Sequence, residues 1–387
     1  MKILKGYVFR MYPNIFQKEM IEKSFGCSRF IYNYFLEEKQ NEYREKGRSK
    51  TAYDQIKTLL VLCKDKPFLK EVDSCTLRNS IFHLDNAYQK FFKEHTGYPN
   101  YKRKGIHESY KTNNIKNTYK EKEYHSIEIN LKEKTIKLPK LGKVKIRGYR
   151  NKKEIGTIKS AVIKKEAERY YVSVLLEEEI NIPKVIPTSI VGIDLGIKDT
   201  VIISNGYKLK IPSISKQLQR LKGYQKALSR SQKQSKNRYK IKRTIQRIYQ
   251  KIKNIRKHFI HQITNKIIKE DDIIVVEDLD IKAMYQNHGV AKSLTNIPLS
   301  EIVEKLKYKS KYSGKYLIQI DRYYPSSQTC SRCNYQNKEI KNVRVRKWEC
   351  PRCHTMHDRD YNATENILYE GLKKYMNEIT KIEQSVK

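Results

Sequence analysis

Cys330-Ser-Arg-Cys333 and Cys350-Pro-Arg-Cys353 are two CxxC knuckles. Four thiolates so spaced form the closed tetrahedral set of a structural Zn²⁺, with no coordination position left open for catalysis. His354 and His357, beside the second knuckle, are the alternative ligands. Almost at once the chain continues His357-Asp358-Arg359-Asp360-Tyr361-Asn362-Ala363, bringing carboxylates for which a purely structural ribbon has no need. Two further acids stand in unusual settings: Asp194 within the apolar run Ile190-Val-Gly-Ile-Asp194, and Glu277 at the end of Ile273-Ile-Val-Val-Glu277. A single Asp at a strand end or helix start is ordinarily a cap or a turn residue. Three acids in one strand–strand–helix arrangement point instead to shared work. Mg²⁺ is bound by one or two carboxylates together with phosphate oxygens and water. Two such ions about 4 Å apart clamp the attacking and leaving oxygens of a phosphodiester.

The charge of the chain suits that substrate. Among 387 residues there are 81 Lys and Arg against 42 Asp and Glu, a formal net charge of +39. This excess exceeds what solubility asks and predicts a polyanionic partner, nucleic acid before an anionic membrane surface. No run of 18 apolar residues is present to span a bilayer. Met1-Lys-Ile-Leu-Lys5 lacks the apolar centre of a signal peptide. The expectation is a soluble, intracellular protein. Seven cysteines without a secretory signal predict reduced thiols, with Cys27, Cys63 and Cys75 as core residues.

Several elements must position these groups. Asn14 before Gln17, followed by Ile21, Phe25, Tyr32 and Phe35, predicts a helix, and a second helical region spans about Thr51 to Glu94. Tyr98-Pro-Asn-Tyr-Lys-Arg103 is a basic and aromatic turn. From about Ser126 to Glu179 apolar and polar residues alternate, predicting short strands of a β-barrel-like module. Asn181 to Pro187 looks like a linker. Ile190–Asp194 and Thr200–Ile203 form a strand pair, and Ile241, Ile245, Ile248, Ile252, Ile255, Phe259, Ile263 and Ile267 make a long helical seam. No Asp or Glu lies between Asp199 and Glu270, so the remainder of that helix surface is basic. Ile273–Glu277 is a strand covered on both faces. A helix over Leu299–Tyr312 closed by Gly314, a strand from Tyr316, and a helix from Asp360 to Glu370 capped by Gly371 complete the pattern.

Gly192-Ile-Asp194-Leu-Gly196, Val275-Val-Glu277-Asp-Leu279 and Asp358-Arg-Asp360-Tyr-Asn362-Ala363 resemble the three acidic motifs of a RuvC-type nuclease domain. The ordered set, with cysteines ahead of the last motif, most resembles the TnpB family of RNA-guided nucleases, encoded by insertion sequences and related to type V CRISPR effectors. Phe25-Gly-Cys-Ser-Arg-Phe-Ile-Tyr-Asn33, Tyr98-Pro-Asn-Tyr-Lys-Arg103 and Tyr324-Pro-Ser-Ser-Gln-Thr-Cys330 extend the resemblance over most of the chain. It implies an α/β fold with all-β and helical parts: an RNase H-like (RuvC) domain holding an inserted zinc ribbon, preceded by a wedge-like β-barrel and a helical recognition module. The implied divisions are 1–125, helical with the start of the β-module; 126–187, wedge-like module and linker; and 188–329, nuclease with basic helices. The ribbon follows at 330–353, the last nuclease motif at 354–372 and a polar tail at 373–387.

The resemblance further implies that Asp194, Glu277 and Asp360 are catalytic and hold Mg²⁺ in a two-ion site. Cys330, Cys333, Cys350 and Cys353 would hold Zn²⁺. Asp358 is the alternative to Asp360, although the Asp-x-Asn-Ala pattern favours the latter. Trp348 is expected to pack the ribbon. The implied partners are a guide RNA derived from the transposon end and target double-stranded DNA, cut next to a short flanking motif. Tyr98, Lys102, Arg103, Arg238, Lys240, Lys242, Arg243 and Arg247 are the candidate nucleic-acid contacts. Two other readings are a compact type V CRISPR effector and an RNA-guided DNA-binding regulator that no longer cuts. A zinc-ribbon RNA-binding protein without enzymatic activity leaves the Asp194 and Glu277 motifs unexplained.

Overall fold

The computed structural model describes residues 1–119, 122–148, 155–286, 297–341 and 345–386 in two compact units, Met1–Ile180 and Asn181–Lys387. No described helix is long and apolar enough to cross a membrane.

In the first unit, β1 (Lys2–Tyr12) turns Ile3, Phe9 and Met11 into the core. Asn14 then starts α1 (Ile15–Lys46): its side chain accepts from the Gln17 amide at 2.8 Å, and Gln17 Oε1 accepts from the Asn14 amide at 3.0 Å. This reciprocal capping satisfies two amides that a helix start leaves unpaired. The second helical region is broken where Pro67 and the cap Asp73 fall, giving α2 (Ala52–Asp65), a 3₁₀ turn (Pro67–Glu71) and α3 (Ser74–Glu94). Ile31, Phe35 and Leu36 of α1 share a core with Leu59, Leu69, Ile81 and Leu84.

Eight more strands follow among the described residues: β2 (Ser109–Asn113), β3 (Lys116–Tyr119), β4 (Lys122–His125), β5 (Glu128–Asn130), β6 (Thr135–Leu138), β7 (Gly142–Arg147), β8 (Thr157–Glu166) and β9 (Arg169–Glu179). β3 and β4 form a separate hairpin, and the others make an antiparallel sheet ordered β2-β8-β9-β1-β7-β6-β5. The expected barrel is thus observed as a sheet ending at β2 and β5, with no closure among its described pairings. Its central strand is β1, from the very start of a segment read as mainly helical. That pairing joins residues far apart in sequence, which no local pattern records.

The second unit is built on a five-stranded sheet. Its order is β12 (Lys208–Leu209), β11 (Val201–Ile203), β10 (Ile190–Asp194), β13 (Ile273–Glu277) and β14 (Tyr316–Ile320). β10, β13 and β14 are parallel, whereas β11 pairs antiparallel with both of its neighbours, β10 and β12. Successive side chains of a strand face opposite ways. Val191, Ile193, Ile274 and Val276 therefore pack with α5 (Lys236–Glu270) and the Leu299–Tyr312 helix, while Ile273 and Val275 join Ile367 on the other face. α4 (Ser215–Arg230) pairs with the first half of α5 through Leu221, Ile248 and Ile252, and the second half of the isoleucine seam lies on the sheet. The short α6 (Ile281–Gln286) and α7 (Leu299–Tyr312) precede β14, and β15 (Lys347–Glu349) pairs with β16 (Met356–Asp358) in the cysteine segment.

The last helix, α8, runs from Arg359 to Val386, well past the stop expected at Gly371 and through most of the expected polar tail. Gly371 is not a cap. A Cβ there would lie 2.3 Å from the Val275 side chain, so this glycine lets the helix press onto β13. Apolar packing at one such close approach outweighs the stop signal of an isolated glycine.

Candidate active site and metal centre

Ile193 and Val276 are register partners in the parallel β10–β13 pair, so Asp194 and Glu277 leave neighbouring strand ends on the same edge. The carboxyl edge of parallel strands is where open α/β sheets place their ligand sites. Asp360 arrives from the first turn of α8. That helix crosses β10 at Gly192, where a Cβ would stand 2.2 Å from the Thr364 carbonyl oxygen. Two glycines, Gly192 and Gly371, thus allow the helix to approach the sheet that carries the other two acids.

The electrostatics record the meeting of the three. Burial pushes the Asp194 carboxyl up to about 7, aided by the charges of Glu277 and Asp360 and opposed by Arg359 and the Leu195 amide. Glu277 is also raised by burial, opposed by the hydroxyl of Ser326, which donates to its Oε1. Asp360 is paired with Arg346, whose Nη1 lies 2.9 and 2.8 Å from its two oxygens. A buried carboxyl whose anion is disfavoured by neighbouring carboxylates, as at Asp194, also suits a divalent cation. Carboxylate oxygens are donors of the kind Mg²⁺ takes, but among the described residues these three acids do not form a group whose ligand atoms all lie within 4.8 Å of one another.

Asp358 is engaged by the chain itself. Its Oδ1 accepts from the amides of Asp360 and Tyr361, both at 3.1 Å, and its Oδ2 accepts from Lys208 at 3.0 Å. Burial acts to raise its carboxyl, but the Tyr361 amide and Lys208 outweigh it and hold it low. It caps the start of α8 and thereby orients Asp360.

Cys330, Cys333, Cys350 and Cys353 bring their sulfurs within 4.8 Å of one another. The Cys330–Cys353 and Cys333–Cys350 separations are both 3.6 Å. A tetrahedron with Zn–S bonds of about 2.3 Å has edges of roughly 3.8 Å, so the set fits zinc. Each knuckle is closed alike: Asn334 and His354 adopt positive φ, and their amides reach the carbonyls of Cys330 and Cys350 at 2.9 Å. Neither histidine joins the four sulfurs. His354 pairs with Glu349 at 3.0 Å, while His357 is buried with Nε2 3.1 Å from Cys330 Sγ and its ring on Trp348. Trp348 packs with Cys330, Ile340 and Cys350, as expected.

The basic candidates divide. Lys240, Lys242 and Arg247 are exposed on α5 and Arg243 is half-buried. Arg238 instead turns inward, with Nη1 donating to Leu228 O at 2.5 Å and to Ser231 O at 3.1 Å, which ties α5 to the end of α4. In the first unit, Lys102 donates to His83 Nδ1 at 2.8 Å and lies 4.0 Å above the Tyr32 ring, while Asn33 bonds its backbone amide and carbonyl. Tyr98 bonds Tyr88, and Arg103 is exposed. Reasoning from sequence missed Arg346, Ser326, Arg359 and Lys208. Ser326 lies in the Tyr324–Cys330 segment, the one signal that could have pointed to it; Arg346 sits in a basic stretch without local distinction.

Comparison with known proteins agrees with this architecture. Residues 171–288 match the OrfB_IS605 family, described as a probable transposase; residues 300–367 match the Cas12f1-like TNB domain; and residues 1–48 match the helix-turn-helix domain of OrfB_IS605. A protein of Streptomyces pristinaespiralis with the provisional name RNA-guided DNA endonuclease is 30% identical over 377 residues, covering 96% of this chain and 90% of its own. InsQ of Escherichia coli K12, provisionally named likewise, is 28% identical over 391 residues, covering 96% and 93%. The Cas12f1 chain from a complex with guide RNA and target DNA shares the fold, with a TM-score of 0.58 at 15% identity over 95% of this chain and 98% of that one. With its acidic motifs, its four-cysteine cluster and full-length similarity to these relatives, the chain belongs to the TnpB family, the OrfB proteins of IS605-type insertion sequences.

Proposed function

We propose that this protein is an RNA-guided DNA endonuclease of an insertion sequence, and that Asp194, Glu277 and Asp360 carry its Mg²⁺-dependent cleavage. The observation that carries the site assignment is the delivery of two acids by adjacent parallel strand ends and a third by a helix laid across them. The second unit is then a RuvC-type, RNase H-like domain into which the cysteine segment is inserted as a zinc ribbon. The first unit serves as the recognition and wedge-like part.

When bound, the two magnesium ions would polarise the scissile phosphate and supply hydroxide at neutral pH. The protein's own contribution is placement. Asp194 and Glu277 present oxygens from rigid strand ends, and Asp358 holds the first turn of α8 so that Asp360 faces them. Arg346 balances the charge of Asp360. The exposed lysines and arginines of α5 offer phosphate contacts to a guide RNA derived from the transposon end and to the target DNA, whose sequence is read by base pairing.

Full-length similarity of 30% and 28% to proteins with RNA-guided endonuclease names supports this reading over a compact CRISPR effector, since the Cas12f1 likeness speaks for the fold alone. The complete acidic set argues against a regulator that has lost cleavage. Asp194→Ala or Glu277→Ala is expected to abolish cutting of a guide-matched DNA duplex while sparing RNA binding. Retained cutting by either purified variant would overturn the site assignment.

A further inference from the structure

Ser326 follows β14 through a turn in which the Tyr324 amide reaches Asp321 O at 3.3 Å and the Ser326 amide reaches Tyr324 O at 2.8 Å. The serine is buried, and its hydroxyl donates to Oε1 of Glu277. Its own place is set from α8. Asn366 Nδ2 donates to Ser326 O at 2.7 Å and to Thr329 O at 2.6 Å. One turn earlier, Asn362 Nδ2 donates to Thr329 O at 2.7 Å, and its Oδ1 accepts from the Ser331 amide at 2.9 Å. Only 1% of Asn362 and 2% of Asn366 is exposed. Buried amides with this many bonds are rigid anchors, because each bond left unmade would cost the desolvation of its partner.

We propose that Ser326 is a positioning residue for Glu277, held in place by Asn366, so that residues 326–331 form a strut linking the helix of Asp360 to the carboxylate on β13. The inference rests on the nuclease reading above. A terminal carboxylate torsion is broad when unconstrained. A hydroxyl bonded to Oε1 restricts that rotation and leaves Oε2 free of this bond for a metal ion. Partners that orient metal-binding carboxylates in this way typically change metal affinity or activity 10–100-fold when removed. The strut also explains why Cys330 lies within it: the first zinc ligand is fixed to the same helix through Thr329 and Ser331.

The test compares Ser326→Ala, Ser326→Thr and Asn366→Ala in the full chain, with two readouts. Mn²⁺ binding is followed by electron paramagnetic resonance without nucleic acid, and the Mg²⁺ midpoint of cleavage is measured for the guide-loaded protein. Ser326→Ala is expected to weaken Mn²⁺ binding and raise the Mg²⁺ midpoint by about tenfold or more. Ser326→Thr, which keeps the hydroxyl, returns both to within about threefold of the parent, and Asn366→Ala shifts both in the direction of Ser326→Ala. Unchanged Mn²⁺ binding and an unchanged midpoint in Ser326→Ala overturn the proposal, as does failure of threonine to restore them in a folded protein. If the alanine variant does not fold, Ser326→Cys keeps the volume with a weak donor and must show the same shift. Weakened Mn²⁺ binding in Ser326→Ala alongside full cutting by Asp194→Ala would sink the catalytic-site assignment and leave the strut standing.

Discussion

Arg346 holds Asp360 through both carboxylate oxygens, and the β15–β16 hairpin aligns the pair: the Arg359 amide donates to Arg346 O at 2.8 Å, one step beyond the Lys347–Asp358 partners. The ribbon hairpin thus delivers a cation to the acid on the following helix. In the proposed site the guanidinium would compete with a metal for the same oxygens. Arg346→Ala is expected to tighten binding of Mn²⁺, as a magnesium probe, by roughly two- to fivefold, the worth of a partly exposed ion pair of about 0.5–1 kcal/mol. Calorimetric titration of the full chain checks this, and weaker binding would show that the arginine supports the metal rather than opposing it.

Asp194 ties stability to pH. Its folded-state carboxyl, at about 7, lies above its ordinary value, so the folded protein retains a proton that the unfolded chain releases. Stability from this group is full below the ordinary carboxylate range and is lost as pH rises toward 7. The metal-free protein should therefore melt lower at pH 8 than at pH 6, and added Mg²⁺ should raise Tm more at pH 8. In Asp194→Asn both trends should flatten. Melting curves of the two proteins at both pH values decide the matter.

Zinc should be stoichiometric and structural. The purified chain is expected to carry one zinc per molecule by elemental analysis, and Cys350→Ser to lose it. Among the described residues the core of this segment is Ile340, Trp348 and the cysteines, with Val345 packed against them, so bound metal would supply much of its folding free energy. Limited trypsin digestion should then open the variant near Arg332 and Arg346 while the five-stranded sheet persists. A fully zinc-loaded serine variant would argue against the four-thiolate set.

The basic helix separates two kinds of arginine and lysine. Arg238→Ala removes a guanidinium bonded to two carbonyls at the α4–α5 turn and should cost about 1.5–3 kcal/mol of stability, seen as a shifted urea midpoint. Lys240→Ala and Lys242→Ala should leave stability within about 0.5 kcal/mol. If each lysine touches a phosphate, each replacement lowers the slope of log affinity against log salt by roughly 0.7–0.9. A salt titration with single-stranded RNA and with a DNA duplex measures both. For the parent, 6–10 such contacts predict a loss of roughly 10³–10⁵ in affinity between low and moderate salt.

What was legible in the amino-acid order is whatever neighbours along the chain can enforce. Asn14 and Gln17 are three residues apart and cap α1 by their own bonds. The CxxC knuckles close on themselves with a left-handed residue after each, and the continuous apolar run from Ile273 to Val276 marks a strand covered on both faces. Tertiary packing settled what depends on distant partners. It drew Lys2–Tyr12 into the centre of a sheet with strands from beyond residue 140, and carried α8 past Gly371 because that glycine meets Val275. It turned Arg238 into a clasp, and gave Glu277 a serine and Asp360 an arginine that no spacing foretold. A hydrogen bond or helix period within a few residues is repeated by every chain with that local order. A contact between residues tens of positions apart exists only once loop closure has been compensated by burial elsewhere.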